Sequence, residues 1–201
     1  MKTLILTLLI LFAFNSQKLF SQDTQPVFSK KSVKVGFGYG FNEGKYEDGV
    51  GLLYSIGWNK SLGKKQRFRL NPNLLLGGFS ADFITDIRDQ YYRTSSYGLN
   101  MHFDLIRFRS LAIVVTAGAF VNYSRGLLGT GGDDEATNFR SSSYFYRLTA
   151  GGYASAALRF DSPKHRIAWE LRPLSVQHGY PYYTLGFMHL SADIKLFARN
   201  K

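Results

Sequence analysis

Apolar residues alternate with polar or small ones in eight separate segments of this chain, between Ser32 and Phe197. Successive side chains of a β-strand point to opposite faces, so each segment predicts a strand with one apolar and one polar face. The first segment shows the pattern most clearly, with Lys34, Gly36, Gly38 and Gly40 set between Val33, Val35, Phe37, Tyr39 and Phe41. We therefore predict an all-β chain of eight strands, each about nine to eleven residues long.

The polar faces of these strands indicate where the apolar faces point. A soluble sandwich or lipocalin turns its apolar face inward, so alternation alone fits either arrangement. Here the polar faces carry Gly, Ser, Asn and scattered charges, a set that suits the cramped interior of a narrow barrel. Continuous apolar faces on eight strands would also overfill the core of a soluble domain of 201 residues. The sequence predicts an eight-stranded antiparallel up-and-down transmembrane β-barrel.

Composition narrows the chemistry that this chain can perform. It has no cysteine, which excludes disulfide scaffolds, cysteine-bound metals and thiol catalysis. Its mean hydropathy of −0.15 is too low for a helical membrane protein. The formal net charge of +11 raises the question of nucleic-acid binding, but the cations are spread between turns and strand interiors instead of forming a stripe. We expect no nucleic-acid partner.

The predicted connections differ between the two ends of the barrel. Residues 60–66, 107–110 and 161–165 are short and basic, whereas the alternate connections 42–49, 80–95 and 125–143 are longer and lean acidic. Short turns at one rim and long loops at the other are typical of outer-membrane barrels, with the short turns and both termini in the periplasm. The fourth outer connection, residues 177–182, is short.

The first residues predict an export signal. Lys2 precedes a segment, residues 4–14, that is apolar apart from Thr7, and residues 15–22 turn polar. About eleven apolar residues are too few for a membrane anchor, which needs roughly twenty. We predict a cleaved signal peptide over 1–22, a short N-terminal periplasmic segment over 23–31 and the barrel over 32–201.

Aromatic residues on the apolar parity concentrate near the predicted strand ends. Such positions are where the two aromatic girdles of a membrane barrel contact the bilayer interfaces. A general preference of aromatics for strands explains their number but not this clustering. The predicted membrane-interface aromatics include Tyr39, Trp58, Phe103, Tyr123 and Phe160.

Three features of the sequence resemble those of a known group of proteins. They are the alternating pattern, the first strand from Lys31 to Gly40, and the end of the signal segment, Leu19-Phe20-Ser21-Gln22. The chain resembles small outer-membrane barrels of the outer-membrane protein A and X type, in particular the β-barrel-domain proteins of the Bacteroidota. The resemblance implies location in the bacterial outer membrane, contact with outer-membrane lipid and lipopolysaccharide, and insertion by the barrel-assembly machinery. That group usually ends on a C-terminal aromatic residue, whereas Phe197 is followed here by four more residues.

Two motifs that suggest ligands have simpler explanations. The glycines at positions 36, 38 and 40 imitate part of a dinucleotide fingerprint, but no helix follows, so we interpret them as small lumen-facing residues. The run from Asp133 through Asp134 to Glu135 lacks the spaced ligands of a calcium loop and is interpreted as a solvated acidic loop. We predict no cofactor and no metal.

One motif suggests an enzyme. The segment from His189 to Ser191 resembles the His-x-Ser of outer-membrane lipid A deacylases, with Glu170 as a conceivable third member. In that group the triad faces lipid, whereas both residues here share the lumen parity of Asp193. The Asn that usually follows the Ser is Ala192 in this chain. We therefore favour a non-enzymatic barrel.

The same residues favour a structural network instead. A turn over 177–182 would set Glu170 opposite His189, with Arg172 close to the same carboxylate and Arg147 approaching from the neighbouring strand. We predict a lumen polar network of Glu170, Arg172, His189 and Arg147.

The expected function is a structural or surface-interaction role, because eight strands leave room only for side chains inside. An unidentified protein or glycan would be contacted by the extracellular loops, in which we place Tyr91, Tyr92 and Arg93. Two alternatives stay open, an accessory subunit of a secretion or gliding machine and a lipid A-modifying hydrolase.

Overall fold

The computed structural model describes residues 28–44, 47–63, 66–80, 91–128, 143–162 and 164–197. Within these ranges the chain forms eight antiparallel strands, each paired with the next, and the last pairs with the first to close a barrel. The predicted fold is confirmed. The strands are β1 Phe28–Gly44, β2 Gly49–Leu62, β3 Phe68–Ser80, β4 Tyr91–Phe108, β5 Leu111–Leu128, β6 Ser143–Phe160, β7 Ile167–Tyr180 and β8 Tyr183–Phe197.

The strand register fixes the width of the barrel. Pairing followed once around from Lys31 returns to β1 at Phe41, ten residues further along. Such a stagger requires strands that are strongly inclined to the barrel axis, and with eight strands it leaves an interior that side chains can fill. We call the end with the turns after β2, β4 and β6 the short-turn end, and the opposite end the long-loop end.

The strands are longer than predicted. They span 13 to 18 residues, because ladder hydrogen bonds continue past the apolar stretch into both rims. β1 already begins at Phe28, before the predicted start of the barrel at Ser32, and β4 begins at Tyr91 inside the predicted loop 80–95. The signal peptide and the acidic run at 133–135 lie outside the described residues.

The predicted register between β7 and β8 is wrong. β7 continues to Tyr180, so the connection is only Pro181 and Tyr182 instead of 177–182. A β-bulge between Arg172 and Ser175 then shifts the pairing by one residue. As a result Glu170 lies opposite Ser191, and the residue opposite His189 is Arg172.

The two faces of the barrel wall have opposite character. Large apolar side chains are exposed on the outside of all eight strands, among them Phe37, Ile56, Leu76, Leu99, Ile113, Leu158, Leu171 and Leu190. The inner face carries most of the buried polar groups. No helix in the described part of the chain is long and apolar enough to cross a membrane.

The interior divides into two halves along the barrel axis. Toward the long-loop end an aromatic and aliphatic cluster fills the lumen; we call it the lumen plug, and it consists of Leu53, Leu75, Phe79, Tyr92, Phe120, Tyr153, Tyr183, Leu185 and Phe187. Phe79 and Tyr92 stack within it with ring centroids 5.1 Å apart. Toward the short-turn end the lumen holds the charged side chains.

Candidate functional site

Glu170 on β7 is the centre of the charged half of the lumen. Its Oε1 accepts hydrogen bonds from Arg172, at 2.7 Å from Nε and 2.6 Å from Nη2. Its Oε2 lies 2.8 Å from Nζ of Lys34 on β1. All three side chains are buried. A buried carboxylate is tolerable only when its charge is matched in this way, and the contact with Lys34 ties β7 to β1.

Two further ion pairs flank Glu170. Arg69 on β3 donates to Asp104 on β4 at 2.7 Å, and Nη1 of Arg159 on β6 lies 2.9 Å from Asp193 on β8. The same two guanidinium groups approach Glu170 Oε2 to 4.0 and 3.9 Å. Four buried cations therefore surround three buried carboxylates, and the cluster spans six of the eight strands.

Two buried histidines border this cluster without contacting a carboxylate. A ring nitrogen of His189 lies 2.9 Å from Ser55 Oγ, and Nδ1 of His102 lies 2.8 Å from Thr116 Oγ1. The absence of a side chain at Gly36 leaves space for the His189 ring, because a Cβ at position 36 would lie 2.2 Å from the ring carbon Cε1. The alternating glycines of β1 therefore make room for lumen side chains.

Arg147 does not join this network, and its predicted place is wrong. It lies on the long-loop half of β6, opposite Ser124, where Nη1 donates to Glu47 Oε2 at 2.9 Å. Its Nη2 also donates to the carbonyl of Pro181. Arg147 thus joins two connections of the long-loop end above the lumen plug. The alternation of the strand placed this side chain in the lumen, but it did not give its position along the barrel axis relative to Glu170.

The side chains proposed for hydrolase chemistry do not form a triad. His189 contacts Ser55 instead of Ser191, whose hydroxyl donates to the backbone carbonyl of Glu170 at 3.3 Å. Glu170 is engaged by Arg172 and Lys34. His189 and Ser191 are both buried in the lumen. In this arrangement no carboxylate orients the His189 imidazole, and the Ser191 hydroxyl is not hydrogen-bonded to it.

The five predicted interface aromatics all lie on the outward face of the barrel. Trp58, Phe103 and Phe160 lie toward the short-turn end, where Phe103 stacks on Phe68 at 4.6 Å and Phe160 pairs with Trp169. Tyr39 and Tyr123 lie toward the long-loop end and are about half exposed.

The predicted loop residues Tyr91, Tyr92 and Arg93 lie in β4 instead of in a loop. Tyr91 and Arg93 point outward and are exposed, but Tyr92 points into the lumen plug, where its hydroxyl donates to the Glu47 carbonyl at 2.6 Å. Strand alternation forces this difference, so the expectation that Tyr92 contacts a partner is wrong.

The described residues contain no group of three or more acidic or histidine side chains suited to a metal ion. The site is instead a filled lumen, with a charged half and an aromatic half, inside a wall whose outer face is apolar. These features define the class of small eight-stranded barrels with an inverted polarity, apolar outside and polar inside.

Comparison with known proteins agrees at the level of the fold. Neisserial surface protein A matches with a TM-score of 0.63 and 10% identity over 84% of this chain and 98% of that one. The attachment invasion locus protein Ail of Yersinia pestis matches with a TM-score of 0.53 and 11% identity over 83% and 97%. Both are eight-stranded outer-membrane barrels. No protein-family model and no curated protein sequence matches this chain.

Proposed function

We propose that this protein is an integral barrel of the bacterial outer membrane, exported through a cleaved signal peptide in a member of the Bacteroidota. The observation that carries the proposal is the exposed apolar outer face, on which Phe37, Leu99 and Leu190 are each about half exposed. A water-soluble monomer rarely exposes a contiguous apolar patch of more than a few hundred Å². A bilayer covers such a belt, and the short-turn end then lies in the periplasm.

The filled lumen supports a function without transport or chemistry inside the barrel. The lumen plug closes the long-loop half, and the ion pairs around Glu170 occupy the short-turn half. A wide barrel conducts through its interior, whereas in this narrow one side chains close the lumen. The proposed role is therefore structural or surface-interacting, and the outer rim is where a partner is contacted.

Five exposed side chains on the outer wall at the long-loop end form the surface that we assign to this contact. Arg93 on β4 lies opposite Arg125 on β5, and Arg125 in turn lies opposite Tyr146 on β6. Tyr144 and Tyr146 are 86% and 80% exposed and lie at the long-loop end of β6, before Leu148, the first outward aliphatic residue of that strand. Tyrosine and arginine dominate the energetics of many protein interfaces. We call Tyr91, Arg93, Arg125, Tyr144 and Tyr146 the tyrosine–arginine patch.

A pull-down from detergent-solubilised outer membrane tests this proposal. We expect wild-type protein to be recovered in the outer-membrane fraction together with a surface partner, and Tyr144→Ala/Tyr146→Ala to fold and insert but lose that partner. The control Phe37→Ala/Tyr54→Ala removes two outward aromatics from the belt and should retain it.

Other results would redirect the assignment. A stoichiometric multi-protein complex that survives the patch substitution would favour an accessory subunit of an envelope machine. Lipid A deacylation that is lost in Ser191→Ala would favour the hydrolase. Recovery as a detergent-free soluble monomer would contradict the membrane location.

A further inference from the structure

A cavity of about 440 Å³ opens at the short-turn end of the barrel, below the ion pairs of the lumen. Its size lies in the range of small-molecule sites, about 300–1,000 Å³. Its lining is strongly unbalanced in charge, since only Asp104 and Asp161 are acidic. Against these two stand seven basic side chains, Lys30, Lys31, Arg69, Arg107, Arg109, Arg159 and Lys195.

Both acidic groups of the cavity are already engaged by two cations each. Asp104 accepts from Arg69 and Arg107, and Asp161 accepts from Arg159 and Lys195. These carboxylates therefore cannot neutralise the lysines at the rim. Within the described ranges no carboxylate lies within ion-pair distance of Lys31, whose side chain is exposed at the mouth. The cavity keeps an excess of positive charge.

The floor of the cavity is formed by two buried guanidinium groups, those of Arg69 and Arg159. Arg69 is 2% exposed, and its Nε and Nη1 have no hydrogen-bond partner among the described residues. Arg159 is 6% exposed, and its Nε likewise has no hydrogen-bond partner among the described residues. These N–H groups have no solvent-accessible surface of their own, so the cavity is reached by the remaining edge of each guanidinium, and its positive charge attracts an oxyanion.

We propose that this cavity binds the phosphate group of a small molecule or lipid headgroup, held by Arg69 and Arg159 at the floor and by Lys31 and Arg109 at the rim. Guanidinium groups match the oxygens of a phosphate in pairs, and the lysine adds charge without fixed geometry. The cavity is larger than a single ion requires, so the remainder of the ligand lies toward the rim.

The electrostatics of the neighbouring turn agree with this assignment. Burial of Asp161, which follows the last residue of β6, opposes its charged form, but Arg159 and Lys195 outweigh that effect and lower the pKa of its carboxyl. The mouth of the cavity therefore stabilises negative charge. The inference goes beyond the proposed surface role and does not depend on it, because the cavity belongs to the folded barrel in any solvent.

Calorimetric titration of the purified mature protein in a maltoside detergent with glycerol 3-phosphate tests the proposal. Saturable binding is expected, and Arg69→Lys should weaken it about tenfold, since lysine keeps the charge beside Asp104 but loses the paired geometry. Lys31→Gln/Arg109→Gln alters only exposed or rim groups and should weaken binding by a similar factor with unchanged unfolding behaviour.

The matched control is Lys60→Gln/Lys164→Gln, which removes two exposed charges from the same end of the barrel without touching the cavity. It should bind like wild type. Equal affinities in control and rim variants, or the absence of saturable binding, would overturn the proposal. Nanodiscs then identify the source: competition by phosphatidylglycerol but not by phosphatidylcholine assigns a lipid headgroup, and no competition assigns a soluble phosphate compound.

Discussion

Replacing Leu99 by arginine should lower the free energy of unfolding from a lipid bilayer by about 2–4 kcal/mol. Leu99 lies on the outward face of β4, between Pro72 and Ala119 of the neighbouring strands, and is 54% exposed. In the bilayer this exposed surface contacts hydrocarbon, where a guanidinium loses its hydration. Reversible urea unfolding of the barrel in phosphatidylcholine vesicles measures the change.

Tyr146→Arg is the matched control for this substitution. Tyr146 also points outward, but it lies three residues from the long-loop end of β6, where the long side chain of an arginine reaches water. Its effect should stay within about 0.5 kcal/mol, as is usual for surface positions. If both variants lose the same stability, the outer face at Leu99 does not contact lipid.

Glu170→Gln should destabilise the barrel by about 3–5 kcal/mol, the usual cost of removing one partner of a buried ion pair. The substitution preserves the shape of the side chain but leaves Lys34 and Arg172 without a matching negative charge. The barrel should still insert, since the outer face is unchanged. The loss should be visible as a lower urea midpoint with an unchanged denaturant slope.

Two further variants separate charge from shape in this network. Glu43→Gln removes a carboxylate of the exposed rim, which accepts from Tyr182, and should change stability by no more than about 0.5 kcal/mol. Adding Lys34→Met to Glu170→Gln removes one of the stranded cations and should recover part of the loss. A Glu170→Gln variant as stable as wild type would show that the carboxylate does not hold the lumen together.

The fold is readable from the sequence because one physical rule governs every strand. Period-two alternation puts apolar groups outside and polar groups inside, and it marks eight strands from Val33 to Leu196. The alternation is interrupted at the bulge of β7. One inserted residue there shifts the pattern, so that Leu171 and Leu174, three positions apart, both face outward. Pro173 lies within that bulge, where its lack of an N–H group costs no ladder hydrogen bond, whereas Pro72 lies in β3 without a register shift.

The lumen plug was missed for a related reason. Leu53, Phe79 and Tyr153 lie at the alternate positions of their strands that otherwise carry polar residues. They face the lumen, as that position predicts, and pack against one another in an apolar cluster. The alternation of a strand shows whether a side chain points into or out of the barrel, but not where it lies along the barrel axis. That position follows from the stagger of ten residues around the barrel. Arg147 follows the predicted long connection 125–143 by only four residues, but its height relative to Glu170 required the stagger.

The charged cluster was partly within reach of the sequence. Lys34, Arg69 and Asp104 all stand on the polar parity of their strands, so their lumen position followed from alternation. Which carboxylate each cation reaches depends on register, and an error of two residues between β7 and β8 changed the neighbour of His189. The pairing of Arg69 with Asp104 needed the register of β3 on β4, which sets Arg69 opposite His102. The contact of Lys34 on β1 with Glu170 on β7 needed the closed barrel.

The central claim of this account is that the outer face lies in lipid, and the two tryptophans of the chain report on it directly. Trp58 and Trp169 both point outward toward the short-turn end and are about half exposed. Tryptophan fluorescence should be measured in vesicles of acyl-chain-brominated phosphatidylcholine, with Trp58→Phe and Trp169→Phe as single-tryptophan variants.

Bromines near the headgroup end of the acyl chain should quench both tryptophans strongly, and bromines near the chain terminus should quench them less, because both indoles lie toward a rim of the belt. Aqueous iodide should have little effect on either. Strong quenching by iodide together with no quenching by the brominated lipids would show that the outer face contacts water, and would contradict the account.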